Sequence, residues 1–336
     1  MKSFPLFLIF LIVCSLIGYS QKQDVKPFKI VFYNTENIFD TIDDPTRNDE
    51  DFLPGSKVAW TSERYNRKLH QVARVLSAID STDLPAFIGL AEIENKTVLE
   101  DLIRVQELQR GGYQTILVEG NDPRGIDVAA LYRPGKLSMA GYKSLPSAAS
   151  FQTRSVLYIK VLDQQRNTFH IFINHWKSRE GSAEKTEPKR VENATFLKQY
   201  IDSVQYSDPQ ARIILIGDFN DEPVNKSISE VLKAQKIEKR INPASLYNLT
   251  YENYVKGEGT LFYKDWDLFD QIIVSGNLLT GKRHNPVIRP PYAYIFKKEW
   301  MLYNNKSGQM IPNRTAGSKE YFGGFSDHLP VYVVVE

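Results

Sequence analysis

Hydrophobic positions gather in short runs rich in Val, Ile, Tyr and Phe, separated by periodic segments and polar stretches. The runs at residues 29–33, 86–90, 113–118, 126–132, 155–161, 168–173, 212–217, 271–275 and 331–335 predict strands. The segment 155–161 alternates, as a half-buried strand does, whereas 212–217 is continuously apolar, as in a strand covered on both faces. Helical spacing of Leu69, Val72, Val75, Leu76 and Ile79 predicts a helix over 64–79, capped by Thr61 or Ser62. A second helix is expected over 98–108. A third should start near Pro188, a residue suited to a first helical turn, and turn Val191, Ala194, Leu197, Tyr200 and Ile201 inward. Strands and helices interleave without a regular βαβ repeat, so the expected α/β fold has two packed sheets with helices outside. Residues 40–54, rich in acids and turn formers, read as a solvated loop whose acids do not follow the alternation of an EF-hand.

Composition adds scale. With 336 residues, 42% hydrophobic and 12% aromatic, the chain can bury a large core, and one domain over 27–336 is expected. The formal net charge of +2 is too balanced to imply nucleic-acid binding by itself. Lys2, the apolar run 4–17 and the small residues Gly18 and Ser20 predict a cleavable signal peptide over 1–20, hence export to the periplasm or beyond. That run is shorter than the roughly 20 residues of a spanning helix, and no other stretch could span a membrane. Cys14, the single cysteine, falls inside it; cleavage would leave no thiol, and Val13 argues against a lipid anchor there.

Polar residues cluster at five predicted strand ends: Asn34-Thr35-Glu36-Asn37, Glu92-Ile93-Glu94-Asn95, Asn174-His175-Trp176, Gly217-Asp218-Phe219-Asn220-Asp221 and Ser326-Asp327-His328. Any one of these, taken alone, reads better as a turn whose side chains bond their own backbone. Their combination and order, from about Lys29 to Glu336, resemble the endonuclease/exonuclease/phosphatase superfamily, most specifically through Gly217-Asp218-Phe219-Asn220 and Ser326-Asp327-His328. Residues 33–40, 124–129 and 174–176 are similar to exported bacterial members. The resemblance implies a four-layer α/β/β/α sandwich, two mixed sheets flanked by helices, as in deoxyribonuclease I. Ala91 and Tyr33 stand where many nucleases of the family carry Gln and Trp, which leaves the subfamily open.

Phosphoester hydrolysis needs a nucleophilic water, charge stabilisation at the phosphoryl oxygens and help for the leaving oxygen. By resemblance, Glu92 is the principal metal carboxylate, with Asn34, Glu36 and Asp327 as further oxygen ligands for Mg²⁺, or for Mn²⁺ or Ca²⁺. Asp218 would orient or deprotonate the water, and Asn220 would hold the phosphate. His328, its ring fixed by Asp270, and His175 would bind phosphoryl or leaving-group oxygens. Arg124, Lys177 and Arg179 are candidate phosphate cations. His70, in a helix, and His170, in a strand, are expected to be structural.

Residues 276–324 are locally basic, with Lys282, Arg283, Arg289, Lys297, Lys298, Lys306, Arg314 and Lys319. Interleaved Tyr292, Tyr294, Phe296, Trp300 and Tyr303 either stack on bases or form the core of an excursion between strands. The leading expectation is therefore a secreted monomeric nuclease. The alternatives are a phosphatase or phosphodiesterase acting on a lipid head group or small phosphorylated molecule, and a noncatalytic binding module that kept the fold.

Overall fold

The computed structural model describes residues 26–148, 150–281, 285–317 and 319–336. The expected signal peptide with Lys2 and Cys14, and the cations Lys282 and Arg283, lie outside the described residues. In chain order the first half runs β1 (Phe28–Ile38), α1 (Ser62–Ile79), β2 (Phe87–Ile93), α2 (Lys96–Arg104), α3 (Gln106–Gln109), β3 (Gln114–Val118), β4 (Asp127–Tyr132), β5 (Ser138–Leu145), β6 (Val156–Leu162) and β7 (Thr168–His175). There follow α4 (Ala183–Ser207), β8 (Arg212–Asp218), β9 (Ala234–Gln235), β10 (Leu246–Asn248), α5 (Tyr251–Val255), β11 (Leu261–Phe262), β12 (Trp266–Asp267), β13 (Asp270–Ser275), β14 (Tyr294–Ile295), β15 (Leu302–Asn304), β16 (Met310–Pro312) and β17 (Val331–Val335).

Two mixed sheets result, one ordered β14-β17-β1-β2-β4-β3 and the other β5-β6-β7-β8-β13-β10-β9. Their facing sides meet in a core that includes Ile30, Phe32, Phe87, Ile159, Ile171, Ile216 and Val333. At Gly89 the sheets come so close that a Cβ would stand 2.6 Å from the Ile216 side chain. The other face of the first sheet, with Val31, Tyr33 and Leu90, packs on α1 and α2. The other face of the second, with Phe172 and Leu215, packs on Ala194, Leu197 and Ile201 of α4. Burial on both faces is why the central strands read as unbroken apolar runs. The expected four-layer sandwich is thus present.

Two helix boundaries differ from expectation. The segment 98–108 is not one helix, because Val105 takes an extended conformation (ψ 148°) and splits α2 from α3. α4 begins at Ala183 rather than near Pro188, since the Ser182 side chain caps the Lys185 N–H and starts the helix earlier. Pro188 falls inside the helix, in its second turn, where it forgoes one bond of the ladder, to the Glu184 carbonyl. Residues 40–54 are only partly solvated: Asp49 is buried, and Phe52 stacks on Phe39 at 4.3 Å. Among the described residues no helix is long and apolar enough to cross a membrane.

Both non-site histidines have structural partners: His70 pairs with Glu107 at 3.0 Å, and His170 Nδ1 lies 2.8 Å from the Tyr158 hydroxyl. Burial, then Lys160, pulls His170 from 6.5 down to about 4, so it is neutral in the folded protein. The unfolded chain takes up that proton near pH 6.5, so stability is lost as pH falls from about 6.5 towards 4, by roughly 3 kcal/mol. Urea unfolding of His170→Gln should show a shallower decline than the parent across that window.

Candidate active site

The topology explains why five distant segments meet. β1 and β2 are parallel, and so are β7 and β8, which puts Asn34, Glu92, His175 and Asp218 at equivalent ends. β13 runs antiparallel to β8 with Asp270 opposite Asp218. β17 runs antiparallel to β1, so the residues that enter it, Asp327 and His328, arrive at the same edge. Packing of the two sheets then brings both sets of strand ends together.

The backbone is bent to aim these side chains. Glu36 (φ 52°), Asn37 (φ 54°), Glu92 (φ 64°) and Asn220 (φ 49°) all occupy the left-handed region. Such conformations cost of order 1 kcal/mol each and persist where the surroundings enforce them, often at functional sites. At Glu92 the strain coincides with a bulge between Ala91 and Ile93 that turns the carboxylate out of the ladder.

Asp218 lies at the centre. Its Oδ2 accepts from Asn34 Nδ2 at 3.0 Å and its Oδ1 from the Asn220 N–H at 2.9 Å. The same Oδ2 is 3.7 Å from His175 Nε2 and 3.8 Å from His328 Nε2. Burial above all, then the charge of Asp270, raises Asp218 to about 6 against the counter-pull of His328. Asp218 is therefore a stronger base than an exposed aspartate. Gly217 allows this placement: a Cβ there would stand 2.4 Å from the Asn174 carbonyl oxygen on β7. Gly217→Ala should push the two strands apart and misplace Asp218 relative to His175, lowering the melting temperature measurably and turnover at least tenfold.

The two histidines are held in opposite charge states. His328 Nδ1 lies 2.7 Å from Asp270 Oδ2. Burial alone would lower the His328 ring, but Asp270, by charge and hydrogen bond, and then Asp218 raise it well above 6.5. His175 is lowered well below 6.5 by burial, then by Arg154, Arg124 and His328. Its Nε2 is 3.7 Å from Glu92 Oε1 as well as from Asp218. A charged donor and a neutral imidazole thus flank one carboxylate.

The acidic side carries the remaining candidates. Glu92 Oε2 accepts from the Asn37 N–H at 2.9 Å, while Oε1 has only a marginal 3.5 Å contact with Asn34 Nδ2. Both oxygens of Glu36 are engaged, Oε1 by Arg314 Nε at 2.9 Å and Oε2 by the Thr315 N–H at 2.5 Å. Burial, then Asp327, pushes Glu36 up to about 7. Asp327 Oδ2 meets Arg314 Nη2 at 3.2 Å. The weakly engaged Glu92 Oε1, 3.5 Å from Asn34 Nδ2, is an oxygen of the kind a hard divalent cation takes. Asp218, Asp270 and His328 also bring ligand atoms within 4.8 Å of one another and could hold a metal ion.

The expected phosphate cations are placed differently. Lys177 pairs at the surface with Glu180 at 3.1 Å. Arg124 bonds Asp122 at 3.3 Å, near enough to depress His175. Arg179 donates to the Asn220 carbonyl at 2.9 Å and lies over the Phe269 ring, 4.5 Å from its centre. Asn220 directs its amide nitrogen to the Trp176 carbonyl at 3.1 Å. Three cations escaped the sequence reading of the site. Arg154, fully buried, bonds Asp122 at 3.0 Å and the Trp176 carbonyl at 3.1 Å. Arg314 bridges Glu36 and Asp327. Lys68 is buried beneath them and donates to the Thr315 hydroxyl and, at 2.7 Å, to the Phe325 carbonyl.

A groove of about 1120 Å³ opens beside Asn220 and Asp327, bordered by Arg179, Arg314, Tyr263 and Tyr303. Of the aromatics in the basic excursion, Phe296 and Trp300 pack on the core beneath the first sheet, whereas Tyr303 stays exposed and borders this groove.

The same fold occurs in solved structures of low sequence identity. *Bacteroides thetaiotaomicron* mannosyl-6-phosphatase is 16% identical, with TM-score 0.56 over 92% of this chain and 99% of that one. The human nocturnin catalytic domain with bound sulfate is 16% identical, with TM-score 0.55 over 92% and 94%. *D. rerio* TDP2 complexed with a single-strand DNA product is 14% identical, with TM-score 0.55 over 92% and 99%. A search of curated protein sequences finds no match. The sequence profile of the endonuclease/exonuclease/phosphatase family matches residues 29–336, and the chain belongs to that family.

Proposed function

We propose that the protein is a metal-dependent phosphoesterase that hydrolyses phosphodiester bonds of nucleic acid by in-line attack of water. The observation that carries this reading is the convergence on Asp218 of a charged His328, a neutral His175 and the amide of Asn34. Asp218 takes the proton of the attacking water, and Asn34 and the Asn220 N–H hold its carboxylate in place for that transfer. His328, kept charged by Asp270, donates from Nε2 to a phosphoryl oxygen and stabilises the charge that builds there. His175 offers a second polar contact on the opposite side, to a phosphoryl or leaving-group oxygen.

Glu92 would hold a divalent cation, Mg²⁺ by the all-oxygen donor set, with Asn34 and Asp327 nearby. Glu36 serves instead as the anchor of Arg314 and Thr315. When bound, the cation would supply Lewis-acid stabilisation of phosphoryl charge. The 2.7 Å contact between His328 and Asp270 has the geometry of a charge-assisted hydrogen bond, so we assign Asp270 to orienting the ring.

Nucleic acid is favoured over a small ester because the groove is open and presents Arg179 and Arg314 beside the site. Purified protein with Mg²⁺ should cleave single-stranded oligonucleotide or plasmid DNA and lose that activity in EDTA. Hydrolysis restricted to phosphosugars or lipid head groups would transfer the assignment to a phosphatase. Inertness with every divalent cation would remove the enzymatic reading.

A further inference from the structure

Two short hairpins stand at the mouth of the groove, and their composition is alike. β11 and β12 pair across a turn carrying Tyr263 and Lys264. β15 and β16 pair across a turn carrying Lys306, with Tyr303 on the strand leading to it. All four residues border the groove. Tyr263 and Tyr303 are 76% and 42% exposed, and the Lys264 ammonium stands over the Tyr263 ring, 5.6 Å from its centre.

Each hairpin is tied at its base to the site. Leu261 bridges His328, the Leu329 N–H donates to the Thr260 carbonyl at 2.7 Å, and the Thr260 hydroxyl accepts from the Asp270 N–H at 3.2 Å. The second hairpin leads from Pro312 through Asn313, whose carbonyl accepts from the Phe325 N–H at 2.6 Å, into Arg314, which bridges Glu36 and Asp327. The two hairpins also contact each other through β11 and β16. A substrate reaching outward from Asp218 and His328 therefore passes two hairpins whose backbones are tied to the reacting centre.

We infer that Tyr263 and Tyr303, with Lys264 and Lys306, form a binding arm for single-stranded nucleic acid, the rings stacking on bases and the lysines facing phosphates. This rests on the phosphodiesterase reading of the same site and identifies which part of the substrate the protein recognises. Rings accept any base by its π-face, and lysines track the backbone as point charges, so the arm selects an unpaired strand without selecting sequence. A duplex, whose bases are stacked internally, offers the rings nothing.

The test separates this inference from the parent reading by measuring binding without turnover. Fluorescence anisotropy in EDTA would compare a labelled ten-residue oligothymidylate with an abasic strand of equal length and charge. The parent protein should bind the base-bearing strand about a hundredfold more tightly, roughly tenfold from each ring. In Tyr263→Ala and Tyr303→Ala that preference should shrink about tenfold each, whereas Tyr→Phe at either position should retain it. Both side chains are exposed, so these variants should fold. Equal affinity of the parent for the two strands, or an unchanged preference in both alanine variants, overturns the arm. If the same parent protein still hydrolyses oligonucleotide with Mg²⁺, only the arm has failed; if it hydrolyses small esters alone, the arm and the nucleic-acid reading fall together.

Discussion

Asp218→Asn is expected to lower kcat on a phosphodiester by about 10³-fold while changing KM little. General-base groups contribute roughly 10²- to 10⁴-fold, and here the carboxylate is also the point on which both histidines converge. Asparagine preserves shape, and its side-chain oxygen can still accept from Asn34 or from the Asn220 N–H, so the fold should survive. What disappears is the proton acceptor and the charge opposite His328. Steady-state kinetics with thermal unfolding as a control would check this. A kcat within fivefold of the parent would remove Asp218 from the proton transfer and leave it a structural acceptor only.

Lys68→Met should cost about 3 kcal/mol of stability in the metal-free protein. Lys68 is fully buried, and burial, the largest influence, pulls its amine down to about 8 against the attraction of Glu36, Asp327 and Glu92. Removing it would take the Lys68 donor from the Thr315 hydroxyl, leave the Phe325 carbonyl with the weaker 3.3 Å contact from that hydroxyl, and leave Arg314 to neutralise Glu36 and Asp327. Deleting one member of a buried charge cluster usually costs several kcal/mol because the partner charges stay behind. Adding Glu36→Gln to Lys68→Met should recover part of the loss, since it removes the stranded charge. Urea denaturation of the single and double variants measures both effects. A single-variant loss below about 1 kcal/mol, or full additivity in the pair, would show that Lys68 does not neutralise the cluster.

Much of this site can be read in the chain because its residues sit where apolar runs end. Asn34, Glu92, His175 and Asp218 each stand in the closing part of a strand, where its apolar run ends, and parallel pairing fixes them on one edge whatever the loops do. Asp270 and His328 are as legible, since antiparallel neighbours return to that edge. The supporting cations were harder to see for physical reasons. Lys68 looks like an ordinary helix lysine, yet it lies three residues after buried Tyr65 and four before buried Val72, on the inward stripe of α1. That spacing was the available signal. Arg154 precedes β6 and Arg314 follows β16 in irregular backbone, where no periodicity reports burial or direction. The same holds for the Tyr263 hairpin, whose two-residue strands are too short to show alternation. The break at Val105 has no Gly or Pro to announce it, and Pro188 favoured a later helix start than Ser182 in fact provides.

On the proposed function, these strand ends form one hydrolytic centre for phosphodiesters. The most direct test is the Mg²⁺-dependent rate of single-stranded oligonucleotide hydrolysis by the parent protein and by His328→Ala. The geometry predicts cleavage by the parent and a loss of at least 10²-fold in the variant, because the charged donor held at 2.7 Å by Asp270 is gone. Equal rates in the two proteins, or no cleavage by the parent, would contradict it.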